Sequence, residues 1–172
     1  INIRNRCLFL QVNPQNGHQR SKSIPSSAYF ETGFKTNLAV TFRAAGTSLS
    51  GQAISDSILV VTARTWNKAL VSSDKSLITL EPAITGAQAN DILAPFGKKI
   101  GPDPASINAA MIGGIAANNA SGMCCGVAQN SYKTLKSMKI VFYDGSFLDT
   151  SCEKSKAAFL NTHKGFMSEL DS

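Results

Sequence analysis

Short apolar runs separated by turn-forming residues divide the chain into three stretches. Residues 1–37 are polar and irregular, residues 38–150 alternate between apolar segments and turns, and residues 151–172 have the composition of a helix. We therefore predict a folded core over residues 38–150, followed by a C-terminal helix over residues 151–172. The apolar candidates of that helix are Ala157, Ala158, Leu160 and Phe166.

Several apolar segments of the core predict strands, because they are rich in β-branched and aromatic residues and end at turn residues. The predicted strands are Leu38–Phe42, Ser57–Thr62, Leu77–Leu80, Met138–Tyr143 and Phe147–Asp149. Asp144-Gly145 predicts a hairpin between the last two. Thr85 and Gln88 have the spacing of a capping box and predict a helix to about Pro95. Strands and helices mixed without a regular βαβ alternation indicate an α+β fold.

Composition and charge exclude some classes of protein. Hydrophobic residues make up 43% of the 172 residues and charged residues 16%, as in a globular protein. The net charge is +6, but the lysines and arginines are scattered, which favours a basic surface over a nucleic-acid site. No apolar run is long enough to span a bilayer, and residues after Ile1 do not resemble a signal peptide.

The four cysteines are Cys7, Cys124, Cys125 and Cys152. Their spacing does not match a zinc or iron–sulfur motif, and adjacent cysteines in a run of small residues are typical of free thiols. We therefore expect a protein of the reducing cytoplasm.

The loop after the first core strand, residues 43–52 (RAAGTSLSGQ), is a candidate anion site. Backbone N–H groups of such a loop can face one point, Gly46 and Gly51 permit close approach, and the hydroxyl groups add donors. Phosphate oxygens are the natural acceptors. The run matches neither the Walker A nor the Rossmann pattern, and by pattern alone a solvent-exposed Ser/Gly turn is the more frequent explanation.

A second candidate is residues 106–126 (SINAAMIGGIAANNASGMCCG), a long and nearly uncharged run of small residues. Gly113 and Gly114 would each weaken a free helix by about 1 kcal/mol relative to Ala. Close approach of a large flat ligand explains that cost, and so does tight helix packing without a ligand. Residues 139–145 predict a buried strand and turn, whose backbone can also bond an adenine edge.

The two histidines, His18 and His163, lie outside these segments. No Ser/His/Asp or Cys/His constellation can be built from them. A lone surface histidine is the simplest interpretation of each.

These segments, in this order, resemble the FAD-linked oxidases with a PCMH-type (vanillyl-alcohol-oxidase type) FAD-binding domain, within them the D-lactate dehydrogenase and glycolate oxidase FAD-subunit group. The resemblance runs from Val40 to about Leu170 and rests on VTFRAAGTSLSGQ, ITGAQAN, GKKIGPDPASINAAMIGGIAANNASGMCCG and the closing strand with Asp144-Gly145. It implies an α+β fold, mainly the second subdomain of the FAD domain, with a mixed sheet and flanking helices.

The resemblance also implies roles for individual residues. The expected FAD-binding residues are Arg43, Ala45, Gly46, Thr47, Ser48, Leu49, Ser50 and Gly51 at the pyrophosphate, Pro102 and Asp103 beside the flavin, Gly113, Gly114, Asn118, Ala120, Gly122 and Gly126 along ribityl and isoalloxazine, and Ile140 at the adenine. Some relatives tether FAD through a histidine in these loops. This chain has none between residues 19 and 162, which predicts non-covalent FAD.

The chain also departs from the family. Residues 1–37 do not resemble the small first subdomain, and the substrate (cap) domain is absent, so the domain is expected to be truncated. We expect the FAD-binding part of an oxidoreductase for a D-2-hydroxy acid such as D-lactate, inactive alone, with no catalytic or metal-binding residue of its own. It would meet substrate only with a cap domain, could need an electron-transfer partner, and in a full enzyme could lie peripherally on the inner membrane. The alternatives are a non-catalytic truncated remnant and a subunit that needs a separate substrate or electron-transfer partner.

Overall fold

The computed structural model describes residues 9–10, 39–62, 66–142 and 144–165, and within them strands and helices alternate irregularly. The strands are β1 (Phe9–Leu10), β2 (Val40–Arg43), β3 (Ile58–Val61), β4 (Ala69–Val71), β5 (Ile78–Leu80), β6 (Lys139–Val141) and β7 (Phe147–Asp149). The helices are α1 (Gly86–Leu93), α2 (Ile112–Ala117), α3 (Ser131–Thr134) and α4 (Glu153–Thr162), with a 3₁₀ turn at Ala94–Phe96. The α+β prediction is confirmed.

The described strands form three small sheets, and both parallel and antiparallel pairing occur. In the first sheet β6 lies between β1 and β7 and is antiparallel to both. In the second, β2 and β3 are parallel, with Val40 opposite Ile58 and Arg43 opposite Val61. In the third, β4 and β5 are antiparallel. The predicted hairpin between residues 138 and 149 is therefore confirmed.

The predicted capping box at the start of α1 is present, and the helix, predicted to about Pro95, ends at Leu93. Thr85 Oγ1 accepts a hydrogen bond from the Gln88 backbone N–H at 3.1 Å, and Gln88 Oε1 accepts one from the Thr85 N–H at 2.9 Å. This reciprocal pair is a capping box, which satisfies two N–H groups. Pro95 lies in the 3₁₀ turn that follows the helix, and Gly97 ends the turn at φ +65°.

The buried residues lie mainly around α1, α2 and β6. The buried apolar residues include Ala83, Ile84, Ala89, Leu93, Ala110, Ile115, Ala116, Ile140 and Val141. Phe42 and Trp66 pack against Val141. Much of this core is alanine, so helices and loops can approach closely.

A helix is present in the predicted C-terminal segment, but α4 covers only Glu153–Thr162 of residues 151–172, and three of its predicted apolar candidates are not buried. Ala157, Ala158 and Leu160 are exposed, whereas Phe159 is buried. Phe166 lies outside the described residues. Strand β4 was not predicted from the sequence. Within the described residues, no helix is both long and apolar enough to cross a membrane.

Candidate dinucleotide site

The loop that follows β2 is anchored at its start and opens toward solvent. The backbone N–H and the hydroxyl of Thr62, at the end of β3, both donate to the Arg43 carbonyl oxygen, at 3.0 and 3.3 Å. Gly46 has φ +71° and Gly51 φ +74°, conformations that glycine adopts without steric cost. A Cβ atom at Gly46 would lie 2.5 Å from Arg43 Nε. The two glycines therefore fix the path of the loop.

The loop presents free hydrogen-bond donors. None of the backbone N–H groups of residues 44–49 donates to another described residue. The Ser50 N–H makes only a long bond, 3.4 Å, to Ser48 Oγ, and the Ser48 hydroxyl donates to Gln52 Oε1. Thr47, Leu49 and Ser50 are exposed. Successive unpaired N–H groups in a glycine-bearing loop suit an anion such as a phosphate.

Helix α2 lies near this loop. An ideal Cβ at Gly114 would be 3.9 Å from Ala44 Cβ, an ordinary van der Waals distance, so the space between Gly114 and Ala44 is about the size of one methyl group. On another side, the Gly113 N–H donates to the Pro82 carbonyl at 3.0 Å, and a Cβ at Gly113 would be 2.8 Å from Pro82 Cβ. Gly113 therefore has a packing role, while Gly114 faces the loop. The fold brings the two predicted segments together.

The end of α2 turns sharply. Asn119, at φ +46°, donates its N–H to the Ala116 carbonyl, and the Ala120 N–H donates to the Ile115 carbonyl at 2.8 Å. These two bonds make a Schellman motif, with Asn119 at the left-handed position that glycine usually occupies. Asn118 is the C-cap and is exposed. The turn directs Ala120 and Gly122 away from the helix axis.

Sequence reasoning missed Ser131, which holds this turn. Ser131 is 5% exposed, and its N–H donates to the Ala120 carbonyl at 3.0 Å. Its hydroxyl lies 2.9 Å from the same oxygen and 3.0 Å from the Ile115 carbonyl oxygen. The sequence feature that could have drawn attention to Ser131 is Asn130, the N-cap residue of α3. Its Oδ1 accepts a hydrogen bond from the Lys133 N–H at 3.1 Å.

The predicted turn at Pro102 and Asp103 packs against the predicted glycine run. Pro102 is buried. Asp103 Oδ1 accepts from the Cys125 N–H at 3.2 Å, and a Cβ at Gly122 would overlap the Asp103 carbonyl oxygen. Gly122 is therefore required for contact with this turn.

Asp103 is electrostatically coupled to the adjacent cysteines. Partial desolvation raises the pKa of Asp103, but hydrogen bonds from Cys125 and Cys124 and the charge of Lys99 outweigh it, so the pKa lies below its ordinary value. The hydrogen bond to Asp103 conversely raises the pKa of the Cys124 thiol. The pair is thus a carboxylate beside a neutral thiol.

Two predicted residues remain, and of these the Gly126 N–H donates to the Gly122 carbonyl at 3.0 Å. Gly126 has φ +52° and is exposed, and a Cβ there would meet nothing within 4 Å. Ile140 is 6% exposed in β6, with Leu10 of β1 opposite it on one side and Leu148 of β7 on the other. Their roles at a dinucleotide stay predictions.

The interpretation of His163 as a lone surface residue is wrong. Its ring stacks on Phe159 with centroids 4.0 Å apart, and Nε2 lies 3.0 Å from Asp144 Oδ2. His18 lies outside the described residues. Cys124, Cys125 and Cys152 are free thiols. In the described part of the chain, no three His, Cys, Asp or Glu side chains are grouped to hold a metal ion.

Comparison with known proteins gives the class to which this site belongs. The family profile described as "FAD binding domain" matches residues 33–151, more than half of the chain. The chain therefore belongs to the FAD-binding domain family of flavin-dependent oxidoreductases, and FAD is its cofactor.

Particular relatives agree with that class. The chain is 28% identical over 116 residues to the D-2-hydroxyglutarate dehydrogenases of Escherichia coli (strain K12) and Pantoea ananatis (strain AJ13355), a match covering 67% of this chain and 11% of each relative. Its fold is similar to that of an alkyldihydroxyacetonephosphate synthase, with a TM-score of 0.61 and 20% identity over 76% of this chain and 26% of that one.

A glucooligosaccharide oxidase from Acremonium strictum, described with a 6-S-cysteinyl, 8α-N1-histidyl FAD, gives the same TM-score of 0.61, with 18% identity over 76% of this chain and 27% of that one. At these identities the structural likeness shows the fold. The PCMH-type fold expected from the sequence is confirmed.

Proposed function

We propose that this chain holds FAD non-covalently, as the FAD-binding part of an oxidoreductase acting on a D-2-hydroxy acid such as D-lactate, and that it is inactive alone. The observation that carries the binding site is the approach of Gly114 to Ala44, beside a loop whose N–H groups at 44–49 have no acceptor among the described residues. The names of the two curated relatives support the substrate class.

The loop would bind the pyrophosphate, because free N–H groups and hydroxyls stabilise phosphate charge at close range. Helix α2 and the turn after it would form the wall beside the flavin, where small residues leave room for a flat ring system. Bound FAD supplies a hydride acceptor, and the protein's part is to position it. The residues assigned to this role are Arg43, Ala45, Gly46, Thr47, Ser48, Leu49, Ser50, Gly51, Pro102, Asp103, Gly113, Gly114, Asn118, Ala120, Gly122, Gly126 and Ile140.

Two features support non-covalent attachment. His163 is engaged with Asp144 and Phe159. We call the space between the loop of residues 43–52 and helix α2, with the turn after it, the dinucleotide slot. Cys124 is exposed and is hydrogen-bonded to Asp103, one of the residues predicted to lie beside the flavin. The raised pKa of its thiol keeps it protonated, and a thiol is a far weaker nucleophile than a thiolate. Acid precipitation should therefore leave the flavin in the supernatant, whereas flavin in the pellet would contradict this part of the proposal.

The alternatives are a non-catalytic remnant and a subunit that works with a separate substrate or electron-transfer partner. The chain spans 11% of the length of the curated relatives it matches. Dye reduction by the isolated chain with D-lactate or D-2-hydroxyglutarate would contradict its inactivity alone. A chain that ignores added FAD would favour the remnant.

The binding site is tested by adding volume to the slot. Gly46→Val and Gly114→Val should each abolish retention of FAD, measured by flavin absorbance after gel filtration. Gly46 has no room beside Arg43, and a valine at Gly114 would fill the space toward Ala44. Gly165→Val is the control, since a Cβ there meets nothing within 4 Å. Unchanged FAD affinity in both slot variants would remove the loop and helix from the site.

A further inference from the structure

A second concave site lies on the far side of α2 from the loop. It is a groove of about 1170 Å³ between the β4–β5 hairpin, residues 98–102, α2, α3 and β6. Ile112, Ile115 and Ala116 form its floor on α2. At about 100° per residue these three share one face of the helix, and Gly114, which faces Ala44, lies on the opposite face. Ile112, Ile115 and Ala116 therefore lie on a different side of α2 from Gly114, while Pro102, of the turn predicted beside the flavin, also lines the groove.

The rim of this groove is strongly basic. Its charged residues are Lys68, Lys75, Lys98, Lys99, Lys136 and Lys139, against Glu81 and Asp149. Lys139 pairs with Asp149 at 3.5 Å, Lys98 Nζ donates to the Lys75 carbonyl at 2.6 Å, and Lys75 Nζ lies over the Phe96 ring. The carboxylate of Glu81 is buried and accepts from the Lys68 N–H at 2.8 Å. Among the described residues, the ammonium groups of Lys68 and Lys136 have no partner.

The lining favours a polypeptide over a nucleotide. Among the described residues, no aromatic side chain lines the groove, so they offer no face on which a base could stack. The floor is instead aliphatic, from residues such as Leu80, Leu93 and Ile115.

The hairpin at the edge of the groove can accept a further strand. Within the described residues β4 and β5 pair only with each other, and none of their residues is buried. Leu70 is 71% exposed. A two-stranded sheet is marginally stable alone, and an extended peptide commonly docks by adding a strand to such an edge.

The geometry points to a docking groove for an extended acidic polypeptide segment, whose apolar side chains alternate with Asp or Glu. The apolar side chains would cover the aliphatic floor, and the carboxylates would meet Lys68 and Lys136. Such pairing at a rim speeds association and selects the charge of the partner.

A random 12-residue peptide display library selected on the whole chain tests this inference. We expect enriched peptides that alternate acidic and apolar residues. A synthetic copy of one such peptide, followed by fluorescence anisotropy, should bind Lys68→Glu/Lys136→Glu at least tenfold more weakly than the unchanged chain. The control is Lys133→Glu/Lys154→Glu, which reverses two exposed lysines outside the groove and should bind as before.

Several results would overturn the inference. They are the absence of an enriched sequence, enrichment of basic peptides, or equal binding to the groove and control variants. Displacement of the peptide by micromolar ATP would assign the groove to a small anion, and binding to phosphatidylserine vesicles that is lost in the groove variant would assign it to a membrane. FAD retention is measured on the same variants and should be unchanged, which separates this test from that of the dinucleotide slot.

Discussion

The dinucleotide slot and the C-terminal unit of β6, β7 and α4 are stabilised by opposite means. The slot consists of backbone and small side chains, with Gly114 against Ala44 and Gly122 against Asp103. The C-terminal unit consists of large side chains. There Phe142 stacks on Phe159 with centroids 4.6 Å apart, and Phe159 stacks on His163.

This difference determines what each region tolerates. A Cβ at Gly46 or Gly122 would lie closer than 3.0 Å to neighbouring atoms, so these positions of the slot should be sensitive to small-to-large substitutions. An aromatic stack gains its stability from buried side-chain area, so the C-terminal unit should be sensitive to truncation.

Removing the central ring of the stack should give the largest effect. Phe159→Ala deletes the buried residue of α4 that joins Phe142 and His163, and we expect a loss of about 3 kcal/mol in the free energy of unfolding. Urea denaturation followed by circular dichroism measures it. Leu160→Ala is the control, since Leu160 is 46% exposed and should change stability by less than about 0.5 kcal/mol. Equal effects of the two would contradict the assignment of Phe159 as the anchor.

Adding one carbon atom at Gly122 should give the second-largest effect. Gly122→Ala places a Cβ where the Asp103 carbonyl oxygen lies, so one backbone segment must move, at a cost of about 2 kcal/mol. Because Asp103 belongs to the predicted flavin turn, retention of FAD should fall as well. Gly126→Ala meets no atom, and its only penalty is the left-handed backbone, so its effect should be smaller. Similar losses in both would show that backbone conformation, not contact, decides the result.

Ser131→Ala removes the side-chain hydrogen bonds that support the turn after α2. The substitution leaves the Ile115 carbonyl without its hydroxyl partner, and Ala120 keeps only the bond from the residue 131 N–H. We expect a loss of about 1 kcal/mol, the usual value for one buried hydrogen bond. Hydrogen exchange of the Ala120 amide should speed up, because the turn after α2 is less firmly held. No change in that exchange would exclude a supporting role.

Local signals in the sequence predicted the elements that depend on neighbouring residues. The capping box at Thr85 and the Asp144-Gly145 hairpin involve contacts within a few residues, and both are present. The positive φ angles of Gly46 and Gly51 follow from the same short-range reasoning. The family resemblance, which rests on the order of several such segments, predicted the fold class and the cofactor.

Contacts between distant residues could not be predicted in this way. Ser131 bonds to Ile115 and Ala120 through a turn whose αL residue is Asn119, and no periodicity signals that arrangement. The helical pattern of residues 151–172 suggested alanines and Leu160 as the buried face. Phe159 is buried instead because Phe142, far away in sequence, lies against it. The pairing of His163 with Asp144 depends on the same long-range packing.

The pH dependence of the C-terminal unit should be the smallest of these effects. Nε2 of His163 faces Asp144 Oδ2 at 3.0 Å, and Nδ1 faces the Phe159 carbonyl at 3.1 Å, so acceptors meet both nitrogens of a protonated ring. The hydrogen bond to Asp144 raises the pKa of His163 above 6.5, against an opposing effect of desolvation. Desolvation also raises the pKa of Asp144, but hydrogen bonds from Ser146 and His163 outweigh it and lower that pKa below 3.8.

The two shifts define a window of greatest stability. A raised histidine pKa stabilises the fold fully below pH 6.5, and the contribution is lost as the pH rises through the folded-state value. A lowered aspartate pKa stabilises it above pH 3.8 and is lost as the pH falls through the folded-state value. The melting temperature of the unchanged chain should therefore decline between pH 6 and pH 8 more steeply than that of His163→Gln, which keeps hydrogen-bonding groups but cannot titrate. Parallel pH profiles for the two proteins would show that the imidazole stacks on Phe159 without forming a stabilising ion pair.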